Sequence, residues 1–219
     1  MTARILFSMV LAWSLFGSRT VFCAQPVEVS ADVRGVIAGL TRQMQEVETV
    51  QSDFVQEKKL QIFDQRIVME GTMYLQKPDR FSWHVQKPMR YVMIMDNRVM
   101  RQWDEESGAI QPLVFDRNPS LAAAVQQIQQ WFSGSYEALG GEYDISLLSE
   151  DPVTLSFSPK TGTVSSSVIE RVVVAFRSDK RYIEHIEIYE RGGDSTVLTF
   201  TNTAVNAAIP PSAWRLRGS

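Results

Sequence analysis

The sequence is poor in the side chains that usually carry chemistry. In 219 residues it has one cysteine, Cys23, and two histidines, His84 and His185. Cys23 stands at the end of an apolar N-terminal segment. A chain cut there keeps no thiol beyond it, which excludes disulfides and thiolate chemistry from the remainder. Each histidine lies in a strand-like stretch without a second ligand at metal-binding spacing. His185 lies between Glu184 and Glu187, but adjacent strand positions are expected to point to opposite faces. No Gly-x-Ser-x-Gly elbow and no phosphate-cradling glycine loop occurs. The pairs Glu105-Glu106 and Glu150-Asp151 fall at turns, where solvation accounts for them. These absences leave no catalytic residue, metal or cofactor to assign, and the chain is not read as an enzyme.

Excess positive charge is absent as well. The formal net charge is −3, and loss of residues 1–24 with Arg4 and Arg19 takes it to −5. A mildly acidic chain argues against nucleic acid as a partner. Only residues 5–16 form a long apolar run, interrupted by Ser8 and Ser14. That run is short for a membrane span. With Arg4 before it and Cys23-Ala24-Gln25 after it, it reads as a removable export signal over 1–24. Phe22 directly before Cys23 does not suit a lipid-attachment site. The expectation is a released domain, 25–219, outside the cytoplasm.

What is present is apolar periodicity. Ser30 can cap a helix in which Val33, Val36, Ile37, Leu40, Met44 and Val47 recur at helical spacing over roughly 18 residues. From Gln51 the period changes to two. Phe54 and Gln56 alternate with Asp53 and Val55. Ile67, Met69, Gly71, Met73 and Leu75 share one strand face, and Phe81, Trp83 and Val85 another. Turns are expected at Lys77-Pro78-Asp79, Lys87-Pro88 and Asp96-Asn97. Asn118 and Pro119 open a second helix along Leu121, Ala124, Val125, Ile128, Trp131 and Phe132, ended by Gly134. Residues 136–139 can add one more turn. The rest alternates between strands and short turns, giving roughly ten or eleven strands and two or three helices. Short hairpin connections imply antiparallel neighbours, so the class is α+β, mainly β.

Six of the methionines lie between Met69 and Met100. Met93 and Met95 share a face with Tyr91. Methionine either fills an irregular core or lines a surface that fits variable apolar shapes, and spacing alone leaves both open. Residues 67–75, 91–95 and 172–176 are apolar on both faces. One face can lie under the helices, while the other can lie exposed or inside a barrel whose interior takes a ligand.

The run Glu70-Gly71-Thr72-Met73-Tyr74-Leu75-Gln76-Lys77-Pro78-Asp79-Arg80-Phe81-Ser82-Trp83 resembles the periplasmic outer-membrane lipoprotein carrier family, LolA. That family shows a Gly, a short strand, a basic residue with Pro, and Phe-x-Trp. Phe54-Val55-Gln56 is similar to its Phe-x-Gln after the first helix, and Lys87-Pro88 and Asp96-Asn97 fall at its later Pro and turn. The resemblance implies an incomplete antiparallel β-barrel of about eleven strands closed by an α-helical lid, in a single domain. It implies a cavity for lipoprotein acyl chains, an inner-membrane ABC transporter as donor and an outer-membrane acceptor. Transient membrane contact and a monomer are expected.

On that basis the acyl cavity is assigned to Phe54, Met69, Met73, Phe81, Trp83, Met93 and Met95, with lid contacts from Leu121, Val125 and Ile128. Lys77 stands where the family has an arginine that latches the lid; it offers a point charge instead of a fork. Met100 and Gln102 replace family aromatics. A lipid sensor or regulator, a carrier of another lipid such as a glycolipid, and a periplasmic hydrolase are the alternatives.

Overall fold

A computed structural model describes residues 31–63, 65–96, 99–113, 131–132 and 134–216. The export segment, the turn at Asn97 and the residues Leu121, Val125 and Ile128 lie outside the described residues.

Helix α1 (Ala31–Gln45) leads into the first strand. Its apolar stripe, Val33, Ile37, Leu40 and Met44, is buried, and Val47 continues that burial just past its end. The helix is three residues shorter than the apolar spacing suggests, because Val47 belongs to the connection, where its N–H bonds the Met44 carbonyl. Eleven strands follow: β1 (Thr49–Leu60), β2 (Gln65–Gln76), β3 (Arg80–Lys87), β4 (Tyr91–Asp96), β5 (Val99–Asp104), β6 (Ile110–Leu113), β7 (Tyr143–Glu150), β8 (Val153–Pro159), β9 (Ile169–Phe176), β10 (Ile183–Glu190) and β11 (Ser195–Val205). A one-turn helix, α2 (Tyr136–Leu139), precedes β7.

All eleven strands form one antiparallel sheet in the order β6-β5-β4-β3-β2-β1-β11-β10-β9-β8-β7. Two meanders are therefore joined by the pairing of β1 with β11. Among the described residues the sheet does not close on itself: β6 and β7 are its edges, and the fold is an incomplete barrel. Pro112 in β6 removes a backbone donor from one of those edges, which blunts it against further pairing.

Register fixes which side chains face inward. Phe54 stands opposite Gly71 and Phe200; Leu75 opposite Phe81; Phe81 opposite Met95; Met95 opposite Met100. On the other half, Leu198, Ile186, Val174 and Leu155 align across four strands. These residues form one core with the α1 stripe, Trp131, Phe132, Tyr136 and Leu139. Phe132 meets Phe200 edge to face at 5.6 Å and Tyr136 meets Phe176 at 5.4 Å, so Phe132 and α2 join α1 on the inner face.

Irregularities adjust this register where the period of two would fail. A bulge in β10 puts one extra residue between Ile183 and His185, so Ile183 and Ile186 both face inward although three apart. A second bulge lets β11 pass β1 between Gln51 and Asp53. Asn202 takes a φ of 52° there, a conformation asparagine tolerates, and its amide donates to Asp53 Oδ2 at 2.9 Å.

The outer face of β3–β5 is covered by the chain's own C-terminal segment. A 3₁₀ turn, Pro211–Trp214, brings Trp214 and Leu216 against Val92, Ile94 and Trp103. His84 Nε2 lies 2.8 Å from the Ala213 carbonyl, and the Arg80 guanidinium sits 4.0 Å above the Trp214 ring. The apolar outer positions of β4 are thus explained by a strap.

Candidate functional site

The seven barrel residues expected to line the cavity all fall on the inner face of β1–β4. Phe54, Met73, Phe81 and Met95 are buried; Met69, Trp83 and Met93 are partly buried against the same core. Met73 pairs with Trp83, and Trp83 with Met93, so methionine and aromatic side chains alternate across the wall. Phe54 stacks on Trp83 with ring centroids 3.7 Å apart, and Phe81 continues the series at 6.1 Å. Gly71 makes this stack possible. A Cβ there would collide with the His84 carbonyl and the Phe54 ring, so the glycine leaves room for the aromatic ring to lie across the strand.

Sequence reasoning missed half of the wall. Phe200, Leu198, Ile186, Val174, Leu155 and Phe157 complete the apolar surface from the second meander. Their alternation was available in the sequence, but which face met β1 depends on the β1–β11 pairing, a contact between the two ends of the domain.

Lys77 is placed at the junction of wall and helix. Its Nζ donates to the Met44 carbonyl in the last turn of α1 at 2.6 Å, and its backbone N–H to Glu48 O at 2.9 Å. A cation at the carbonyl end of a helix also meets the negative end of the helix dipole. Burial pulls the Lys77 pKa below the usual lysine value, with Glu48 opposing.

Toward the opposite end of the strands the inner face becomes polar. Lys58, buried, pairs with Glu190 at 3.0 Å beside buried Thr196. Tyr91 Oη donates to Gln102 Oε1 at 3.2 Å. Burial, reinforced by Asp104, raises the Tyr91 phenol far above its usual range. A pocket of about 300 Å³ opens at the same end, between α1, α2 and β7, with Ile37, Tyr136, Tyr143 and Ile145 among its walls and Arg34 and Lys160 beside them. Among the described residues no group of three potential metal ligands is found. His185 sits on the outer face, 3.1 Å from Glu187 Oε1 and 3.2 Å from Thr199, and the site does not use it.

The class is an open antiparallel half-barrel with an apolar, methionine- and aromatic-rich interior under a helix. Residues 45–217 match the family described as outer membrane lipoprotein carrier protein LolA, and the chain belongs to that family. An outer-membrane lipoprotein carrier protein of Chromohalobacter salexigens is 26% identical over 207 residues, covering 92% of this chain and 90% of that one. One from Pseudomonas fluorescens is 26% identical over 151 residues, 66% of each protein. Among solved structures, MucB superposes with a TM-score of 0.52 at 14% identity, over 83% of this chain and 62% of MucB. The Pseudomonas aeruginosa MucA/MucB complex gives 0.51 at 15% identity, over 84% of this chain and 61% of the matched chain. At these identities the structural matches speak for the fold alone.

Proposed function

We propose that this protein is a periplasmic carrier that takes lipoprotein acyl chains into the half-barrel and conveys them from the inner to the outer membrane. The single observation that carries this reading is the continuous inner surface from Met95 through Phe81, Trp83, Met73 and Phe54 to Phe200, covered by a helix held at its end by one lysine. Each buried CH₂ of an acyl chain is worth about 0.8 kcal/mol, so such a chain needs a protein surface to cross water. Methionine-rich packing gives contact area without one fixed shape, which suits binding followed by release.

In this reading residues 1–24 are removed on export, residues 25–219 act as one domain and a monomer, and Phe54, Met69, Met73, Phe81, Trp83, Met93 and Met95 touch the chains. Leu121, Val125 and Ile128 complete the lid and Lys77 latches it. An inner-membrane ABC transporter supplies cargo, an outer-membrane protein receives it, and no step requires a catalytic residue. A second reading, a regulator that binds protein, takes its support from the fold shared with MucB; a glycolipid carrier would use the same surface.

The test is mass spectrometry of lipid retained by protein purified from the periplasm, followed by transfer of lipoprotein from inner-membrane vesicles to outer-membrane vesicles. Retained diacyl or triacyl lipoprotein and transfer support the carrier. Transfer of a glycolipid instead would change the cargo. No bound lipid and no response to added acyl chains would sink lipid carriage and favour the regulator.

A further inference from the structure

In an apolar interior an unsatisfied polar atom stands out, because a buried donor without an acceptor has given up its hydration for nothing. Among the described residues, two such atoms belong to the helical layer over the half-barrel: Trp131 Nε1 and Thr41 Oγ1. Trp131 is 2% exposed and packs in the same core as Phe54 and Phe200. An indole N–H can only donate. The interior therefore holds a fixed donor whose acceptor has still to be supplied.

Both atoms lie along one side of α1. The chain just after Trp131 crosses the last turn of that helix: Gly134, at a φ of 82°, comes so close that a Cβ on it would collide with the Met44 Cβ. Thr41 stands one turn earlier on α1. Tyr136 ties Trp131 to the neighbouring pocket, because its ring lines that pocket and its Oη donates to the Trp131 carbonyl at 2.6 Å. Arg34, Ile37 and Thr41 follow one another at three and four residues, so the helix face that borders the pocket leads on to Thr41.

The surroundings define the missing acceptor. The pocket, about 300 Å³, is at the small end of ligand sites and takes part of one molecule. Ile37 and Ile145 give it apolar walls. Arg34 and Lys160 border it together with Glu137 and Asp144, so charge there is balanced and selects neither sign. Lys160 Nζ is moreover engaged by the Gly140 carbonyl at 2.5 Å. A carboxylate or phosphate drawn inside would need a cation beside it, and a tryptophan and a threonine offer none. A neutral acceptor joined to hydrocarbon fits both demands, and the carbonyl of an ester- or amide-linked acyl chain is such a group.

We infer that Trp131 Nε1 and Thr41 Oγ1 receive the ester or amide carbonyl at the head of an acyl chain and make the interior selective for acyl groups over plain hydrocarbon. The inference rests on the carrier reading and deepens it, by naming the part of the cargo that the polar atoms of the helical layer recognise. The tail packs on the apolar core, which supplies affinity without discrimination. The two donors supply the discrimination, because an alkyl ether of the same length lacks the carbonyl and leaves them unpaired.

The test is calorimetric titration of the exported protein with dioctanoylglycerol and with its dioctyl ether counterpart, in vesicle-free solution. The wild type is expected to bind the ester about tenfold more tightly, the scale of one buried hydrogen bond. Trp131→Phe keeps an aromatic body and removes the N–H, so it should bring the two affinities together. Thr41→Val should narrow the gap in part. A purely structural role for either residue would move both affinities alike and leave their ratio unchanged. The indole N–H resonance of Trp131 gives a reading without any substitution: it should shift downfield with the ester and stay in place with the ether. Equal wild-type affinities, a preference that survives in Trp131→Phe, or an indole resonance indifferent to the ester would overturn the inference and leave carriage standing. Binding of neither lipid would overturn both.

Discussion

Gly71 shows how a single side-chain absence shapes the wall. The Phe54 ring crosses the strand at this glycine and reaches Trp83. A methyl group there must displace an aromatic ring or a backbone carbonyl, and overpacking of this kind costs about 1–3 kcal/mol. Gly71→Ala should therefore lower the melting temperature by several degrees, at about 2–4 °C per kcal/mol for a chain of this size. Calorimetry checks it, and near-ultraviolet circular dichroism should report the loss of the Phe54–Trp83 stack. Lys77 acts at the same scale. Lys77→Met keeps the stem and removes the donor to the Met44 carbonyl, a loss of about 1 kcal/mol. The loss should appear as faster amide exchange in the last turn of α1, while the strands keep their protection. A uniform loss of protection would show that the lysine supports the barrel and not the helix.

The elements differ in how far the sequence announces them. Strand alternation made β1 to β4 legible, because inward apolar residues recur at every second position, as Phe81, Trp83 and Val85 do. The inward pair Ile183 and Ile186 was not legible, since a bulge breaks the period and only the partner strand reveals it. The C-terminal strap was invisible for another reason: four residues of 3₁₀ helix carry no periodicity, and the apolar outer face of β4 gave no hint of what covers it. The barrel half of the site was therefore readable as a face, its second meander only as strands, and the latch only through the family motif. The strap also makes a pH prediction. Burial, partly offset by the Ala213 carbonyl, holds the His84 pKa below its usual value. Below the unfolded value near 6.5 the detached state binds the proton more readily than the docked one, so stability held by the strap falls as pH drops through that region and is complete above it. Tyr74, edge-on at 5.5 Å, and the Arg80 cation above Trp214 offer the imidazolium no carboxylate partner, while Asp96 engages Arg80 at 3.4 Å. Corrected for the intrinsic exchange rate, amide protection over residues 212–216 should fall between pH 7 and pH 5 in the wild type and lose that dependence in His84→Phe.

At the scale of the whole molecule, one apolar surface has two claimants. Leu40, Met44 and Val47 are fully buried in the same core as Phe54, Met73 and Phe200, so α1 occupies the inner face. On the proposed carrier function, acyl chains entering between wall and helix would displace part of that packing, and their apparent affinity would be reduced by the rarity of the displaced state. This gives a prediction with opposite signs for stability and binding. Leu40→Ala should cost the lipid-free protein about 2–5 kcal/mol, as truncation of a buried leucine does. The same change weakens the helix's hold and leaves every wall residue of β1–β4 in place, so it should tighten acyl-probe binding. Phe54→Ala should lower both stability and affinity, because Phe54 belongs to the wall. Paired measurements of melting temperature and probe dissociation constant separate the cases. If Leu40→Ala weakens binding as Phe54→Ala does, α1 is part of the lipid-contacting surface and not its competitor, and the order of events in loading would be helix closure onto lipid instead of helix release before it.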